Sequence, residues 1–262
     1  LEVYIDNAAD QQLLAQGSLV DTLESSATEL DFINGTINYI DQWIDLDLNE
    51  RLDPYGSYLD IYKVDHVDGI DDNTAGEVQL VFPGLTTELQ WEDEGNPSQL
   101  SFWEKRVITH ELAHVFGLTH PNGDGPNPNF DSADTSLSYN NHPSDFAYKL
   151  TAIDILAMIE LWGLEDDPSD LNLSGGTSND EFSVVLTGSS TDEFGSLQRI
   201  DAGAGDDTFI TDLRGTLAAQ SGTILVGNTG TDISRFLLPD PDSSHPLLWL
   251  DLYSSSISSL SV

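Results

Sequence analysis

The chain has 262 residues, 39% of them hydrophobic, so it can bury a substantial core and wholesale disorder is excluded. Eight Lys and Arg face 46 Asp and Glu, giving a net charge of −38 that repels nucleic acid and anionic membrane surfaces. Cysteine is absent, which excludes disulfides and thiolate metal sites, and no apolar run is long enough to span a bilayer as a helix.

The acidity is spread over both halves, so it is a property of the whole surface and not of a tail. A saline or calcium-rich exterior, where ions screen such charge, is the expected environment. The chain opens at Leu1 with neither a methionine nor a basic leader, so a mature form or an excised segment is expected. A monomer with no nucleic-acid partner and no membrane insertion is expected.

LEVYI (1–5) reads as an opening strand. From Asp21, apolar residues at Leu23, Ala27, Leu30, Ile33, Ile37, Ile40 and Ile44 recur every three or four positions, predicting a long amphipathic helix. Strand-like stretches follow at IDLDL (44–48), YLDIYKV (58–64), EVQLVF (closed by Pro83) and ELQW (88–91). A second helix opens at the capping box Ser101-Phe-Trp-Glu104 and ends at Gly117. After a Gly/Pro/Asn-rich loop (121–143), a third helix is predicted from about Thr151 to Trp162, stopping at Gly163. This is an α+β layout over residues 1–165. Beyond Glu165 the texture turns to Ser, Thr, Gly and Asp without helical period, so residues 166–262 are expected to form a small β-rich domain.

The second helix carries the stretch HELAHVFGLTH, His110 to His120. His110 and His114, at i and i+4, share one helix face, and Gly117 lets the chain turn back to bring His120 toward them. Three neutral imidazoles leave Zn²⁺ an open position, the catalytic arrangement, with Glu111 placed to serve as general base. Five such fixed positions match by chance roughly once in 10⁵ such chains. The plainer alternative is three histidines merely packed or exposed. His66, His142 and His245 read as exposed or hydrogen-bonded. The acidic run DHVDGIDDN (65–73) lacks EF-hand spacing and reads as a solvated loop.

HELAHVFGLTH resembles the extended zinc motif of the metzincin endopeptidases, and the following Pro121 resembles the serralysin branch. TSLSYN (135–140) is similar to that branch's Met-turn, with Leu137 at the Met position and Tyr139 aligned; AIDILAMIELWG (152–163) resembles the helix that follows it. The resemblance implies a metzincin-like catalytic domain over 1–165: a twisted mixed sheet and three main helices, with zinc in the cleft. It implies zinc on His110, His114 and His120, Glu111 as general base and then acid, and Tyr139 as a further zinc ligand that swings away to stabilise an oxyanion. A turn tyrosine packing on its own loop is the alternative for Tyr139. The implied activity is secreted, zinc-dependent cleavage of a protein or peptide substrate lying along the EVQLVF edge strand. The competing reading is a non-catalytic or self-processing module of a larger extracellular calcium-binding surface protein.

Serralysins also carry calcium-binding repeats of the form G-G-x-G-x-D-x-U-x. AGAGDDTFI (202–210) nearly matches, with Gly203, Gly205 and Asp207 in the key positions; GGTSNDEF (175–182) and TGSSTDEF (187–194) are partial copies with Asp180 and Asp192 at the sixth position. GNTGTDIS (227–234) is poorer. The spacing is uneven and not a steady nine, so a full calcium-bound β-roll is not expected. A Ser/Gly-rich β-domain and a calcium-binding remnant stay open as alternatives.

Overall fold

The computed structural model describes residues 1–13, 19–67, 75–81, 86–95, 100–142 and 148–165, and beyond them 173–176, 179, 181–185, 197–212, 222–226, 232–237 and 257–261. The chain divides into two compact units, Leu1–Glu165 and Asp166–Val262.

In chain order the first unit holds β1 (Glu2–Ile5), β2 (Gln11–Leu13), β3 (Leu19–Asp21), α1 (Ala27–Asp41), β4 (Asn49–Arg51), β5 (Leu59–Val64), β6 (Gly76–Val81), β7 (Thr86–Glu92), α2 (Phe102–Val115) and α3 (Ala152–Trp162). It is an α+β unit whose five-stranded sheet runs β4-β1-β5-β7-β6. The first four strands are mutually parallel, and β6 returns antiparallel to β7 at the edge. Side chains alternate across a strand, so Val3, Ile5, Leu59, Ile61, Leu89 and Trp91 share one face and are all buried. Against this side lies α2, which contacts β6 and β7, with α1 beside it. Lys63 on the same face is buried and reaches Glu29, the capping-box glutamate of α1, at 2.8 Å and Asp93 at 3.5 Å. That ion pair fastens the start of α1 to β5.

The opposite face is more polar. Tyr4, Asp60 and Glu88 are register neighbours across β1, β5 and β7, and Tyr62 and Val64 form a small cluster with Val20 and Val67. The β2–β3 hairpin belongs to this side, and Thr22 bridges Val64.

Two expectations are corrected. The first helix begins at Ala27, not near Asp21, because Ser26 caps it and Glu29 closes the capping box, while residues 19–21 are spent on β3. The strand expected at 44–48 is displaced to Asn49–Arg51. Ile44 is buried and bridges Leu164, and Asp41 accepts the Leu48 N–H at 2.8 Å, so this segment is pinned before any ladder begins.

The second unit contains β8 (Leu173–Gly176), β9 (Glu181–Val185), β10 (Leu197–Gly203), β11 (Thr208–Asp212), β12 (Gly222–Val226), β13 (Asp232–Leu237) and β14 (Ile257–Ser261). They form two wholly parallel sheets, β12-β10-β8 and β14-β13-β11-β9, and from β8 to β13 successive strands alternate between them. That alternation is how a chain wound as a parallel coil distributes its strands. Thr208 pairs with Glu181 on one side and Ile233 on the other, so a full turn of the coil, carrying one strand of each sheet, advances by that spacing.

Candidate metal centre

The local sequence dictates how the histidines meet. Ser101 and Glu104 exchange capping hydrogen bonds, so α2 starts rigidly and carries His110 and Glu111, both buried, and the half-buried His114. Gly117 takes φ +94, the left-handed conformation that glycine adopts most freely. The Leu118 N–H then reaches back to the Ala113 carbonyl at 3.1 Å and the Gly117 N–H to the His114 carbonyl at 3.0 Å, closing the helix and reversing the chain. The reversal does a second job: the Leu118 carbonyl accepts from His114 Nδ1 at 2.9 Å. On the other side, Ser136 offers its carbonyl to His110 Nδ1 at 2.9 Å.

A carbonyl only accepts, so Nδ1 carries the hydrogen on both rings and each Nε2 presents a lone pair. His120 Nε2 stands 3.2 Å from Nε2 of His110 and 3.2 Å from Nε2 of His114. Burial, with the neighbouring His114 second, pushes His110 down to about 3; His120 is lowered for the same two reasons. The Nε2 lone pairs of His110 and His114 both face His120 Nε2, an arrangement that suits a cation. Ligands 2.0–2.1 Å from a tetrahedral zinc stand about 3.3 Å apart, close to the spacing found here. The three donor atoms lie within 4.8 Å of one another, so this group could hold a metal ion.

Glu111 is buried beside this group, and desolvation followed by the charge of Glu77 raises its pKa to about 8. A cation among the histidines would favour its ionised form. Tyr139 is brought to the same place: its ring centroid lies 4.8 Å from that of His120 and 5.6 Å from that of His110, with 55% of the residue exposed. Burial and the Glu111 charge raise its pKa, keeping a phenol that donates. Its backbone N–H bonds the Gly125 carbonyl at 2.9 Å, and its ring occupies the space a Cβ on Gly125 would need. Leu137, in the same turn, is 2% exposed, and a Leu for Met exchange there conserves volume, which usually costs less than about 1.5 kcal/mol.

Among the described residues, His66 and His142 fall outside the three-histidine group. His66 pairs with Glu92 at 3.1 Å on the surface, and the His142 backbone N–H bonds Ser132 Oγ at 3.1 Å; His245 lies outside the described residues. Of the repeat-like residues, Asp207 is buried in the turn between β10 and β11, and the Asp206 N–H bonds Asn179 Oδ1 at 2.9 Å. Gly203 ends β10, and Gly205 has φ 142. Asp180 and Asp192 lie outside the described residues.

Four residues around the centre escape a reading based on ligand motifs. Arg106 donates to the Ser138 carbonyl at 2.6 Å and to Asn141 Oδ1, holding the segment on either side of Tyr139. Asp154 grips the turn at 135–137, and Gly76 and Gly125 make room for Glu111 and Tyr139. Only Asp154 left a sequence signal, as the acidic partner of Thr151 in a capping box. No protein-family model matches the chain, and no curated protein matches it.

Proposed function

We propose that the first unit is a zinc-dependent endopeptidase of metzincin type, closest to the serralysin branch, acting outside the cell on protein or peptide substrates. The observation that carries this reading is the convergence of three Nε2 atoms whose partner nitrogens, on two of the rings, are already committed to backbone carbonyls. His110, His114 and His120 would hold the ion. When bound, zinc supplies Lewis acidity and draws the pKa of water toward about 7.

Glu111 takes a proton from the attacking water and returns it to the leaving amine. The Tyr139 hydroxyl serves as hydrogen-bond donor to the developing oxyanion. Substrate lies along β6, the terminal strand of the sheet order, which packs on α2 beside the centre; an extended peptide adds there as a further strand. The net charge of −38 and the lack of cysteine support a salt-screened exterior and a ligand set without thiolate. A calcium role for the second unit belongs to the same proposal.

The test is casein hydrolysis by wild type and Glu111→Gln, with zinc measured by elemental analysis before and after chelation. Wild type should hold one zinc and lose activity on its removal. The variant should keep zinc and fold while its rate falls about 10²–10⁴-fold, the usual worth of a general base. A variant with most of its activity would remove Glu111 from that role; a wild type that holds no zinc would overturn the reading.

A further inference from the structure

We infer that Asp154, on α3 and far in sequence from the histidines, is a positioning residue for the metal centre, acting through Ser136 to aim His110. The inference rests on the proposed reading of the three histidines as metal ligands. Asp154 is 2% exposed, and its carboxylate is fully engaged. Oδ2 accepts the Ser136 N–H at 2.9 Å and the Thr151 N–H at 2.9 Å, while Oδ1 accepts the Thr135 hydroxyl at 2.5 Å; the Thr151 hydroxyl lies 3.0 Å from Oδ2 and 2.9 Å from the Asp134 carbonyl. The Thr135 hydroxyl oxygen in turn accepts the Leu137 N–H at 3.1 Å. One carboxylate therefore fixes three consecutive residues of the turn, and the middle one is Ser136, whose carbonyl takes the His110 Nδ1–H.

A helix cap explains only part of this. In a capping box the acidic side chain at the third helical position bonds the N-cap N–H, here that of Thr151. The remaining acceptor capacity of Asp154 goes to residues 135 and 136, from a different segment of the chain. Carbonyls that receive the second nitrogen of a ligand histidine set its tautomer and ring direction, and disturbing such partners typically weakens metal binding 10–100-fold. The Leu118 carbonyl, which serves His114, is fixed by the helix end itself. Ser136 lies in an irregular turn, and Asp154 supplies the rigidity that a helix would have given.

The experiment measures zinc affinity by competition with a chromophoric chelator, and the visible spectrum of the cobalt(II)-substituted protein, for wild type, Asp154→Ala, Asp154→Asn and Thr135→Val. Asp154→Ala is expected to bind zinc 10–100-fold more weakly and to shift the cobalt bands. Asp154→Asn should stay within several-fold of wild type, because its amide oxygen still accepts from Ser136 and its amide nitrogen donates to Thr135. Thr135→Val, which spares the α3 cap, should weaken binding several-fold. A folded Asp154→Ala with wild-type affinity and spectrum reduces Asp154 to a helix cap and overturns the inference. Should that variant fail to fold, wild-type behaviour of Thr135→Val overturns it equally. A wild-type chain that binds neither metal removes the metal reading and this inference with it.

Discussion

Gly76, the first residue of the edge strand β6, stands directly against Glu111. A Cβ placed on Gly76 would lie 2.7 Å from Glu111 Cγ and 2.6 Å from Val107 Cγ1, closer than real side chains approach. The strand proposed to receive substrate and the proposed base thus share one contact, and the absence of a side chain at residue 76 sets its distance. Gly76→Ala should lift β6 or rotate Glu111. Expected are a loss of about 1–3 kcal/mol in stability from overpacking and a fall of at least about ten-fold in kcat/KM. Denaturant melts and peptide hydrolysis check both; an unchanged kcat/KM would show that neither element had moved.

The parts legible in the sequence are those fixed locally. Ser101 and Glu104 mark the start of α2, Thr151 the start of α3, and the i, i+4 spacing with Gly117 anticipates three rings in one place. What stays hidden depends on backbone acceptors and on distant partners. Nothing in the letters at 118 and 136 announces that their carbonyls orient histidines. The α1 period reads six residues too early because Leu23 sits in phase with the helix although the chain is still leaving β3; the Ser26–Glu29 box was the better signal. In the second unit the motif spacing hides the coil, whose register follows full turns through Glu181, Thr208 and Ile233.

Tyr139 is held by its backbone and by empty space at Gly125. A Cβ on Gly125 would lie 2.6 Å from Tyr139 Cε2, so Gly125→Ala must drive the ring away from the histidines. If the phenol donates to the oxyanion, Tyr139→Phe should lower kcat about 10²–10³-fold, as loss of one such donor does, with little change in KM. Gly125→Ala should reproduce most of that loss although it removes no functional group. Steady-state kinetics separate the readings: full activity in Tyr139→Phe would leave the tyrosine a packing residue of its loop.

On the far side of the sheet Asp60 is buried beside Glu88 of the neighbouring strand, with Tyr4 and Tyr62 around it and Ser57 donating to it. Burial, with Glu88 reinforcing it, raises its pKa to about 6. Its folded pKa exceeds its unfolded one, so its contribution to stability is fully present below about 4 and lost as pH rises through about 6. Asp60→Asn, which keeps an acceptor for Ser57 and carries no charge, should therefore melt a few degrees higher than wild type at pH 7.5. The difference should vanish near pH 4. Thermal denaturation across this range is the check; an equal difference at both ends would mean that titration of Asp60 is not its source.

Salt and calcium act on different parts of the same charge. With a net charge of −38, self-repulsion opposes compaction, and NaCl screens it over about 10 Å at 0.1 M and about 3 Å at 1 M. Melting temperature should therefore climb from low to high NaCl. A specific calcium site behaves otherwise, because an ion bound only by the folded state stabilises it at concentrations set by its affinity. The place to look is the turn at Asp207: this residue is buried, and Asp232 of β13 occupies the equivalent position one coil on, since Thr208 and Ile233 are in register. If these turns bind calcium, millimolar calcium added in molar NaCl should still raise the melting temperature of the second unit. Asp207→Ala should cancel that increment and leave the NaCl dependence intact. Calorimetry of both proteins in both salts separates the effects, and a calcium response that disappears once NaCl is high would leave the acidity alone to account for it.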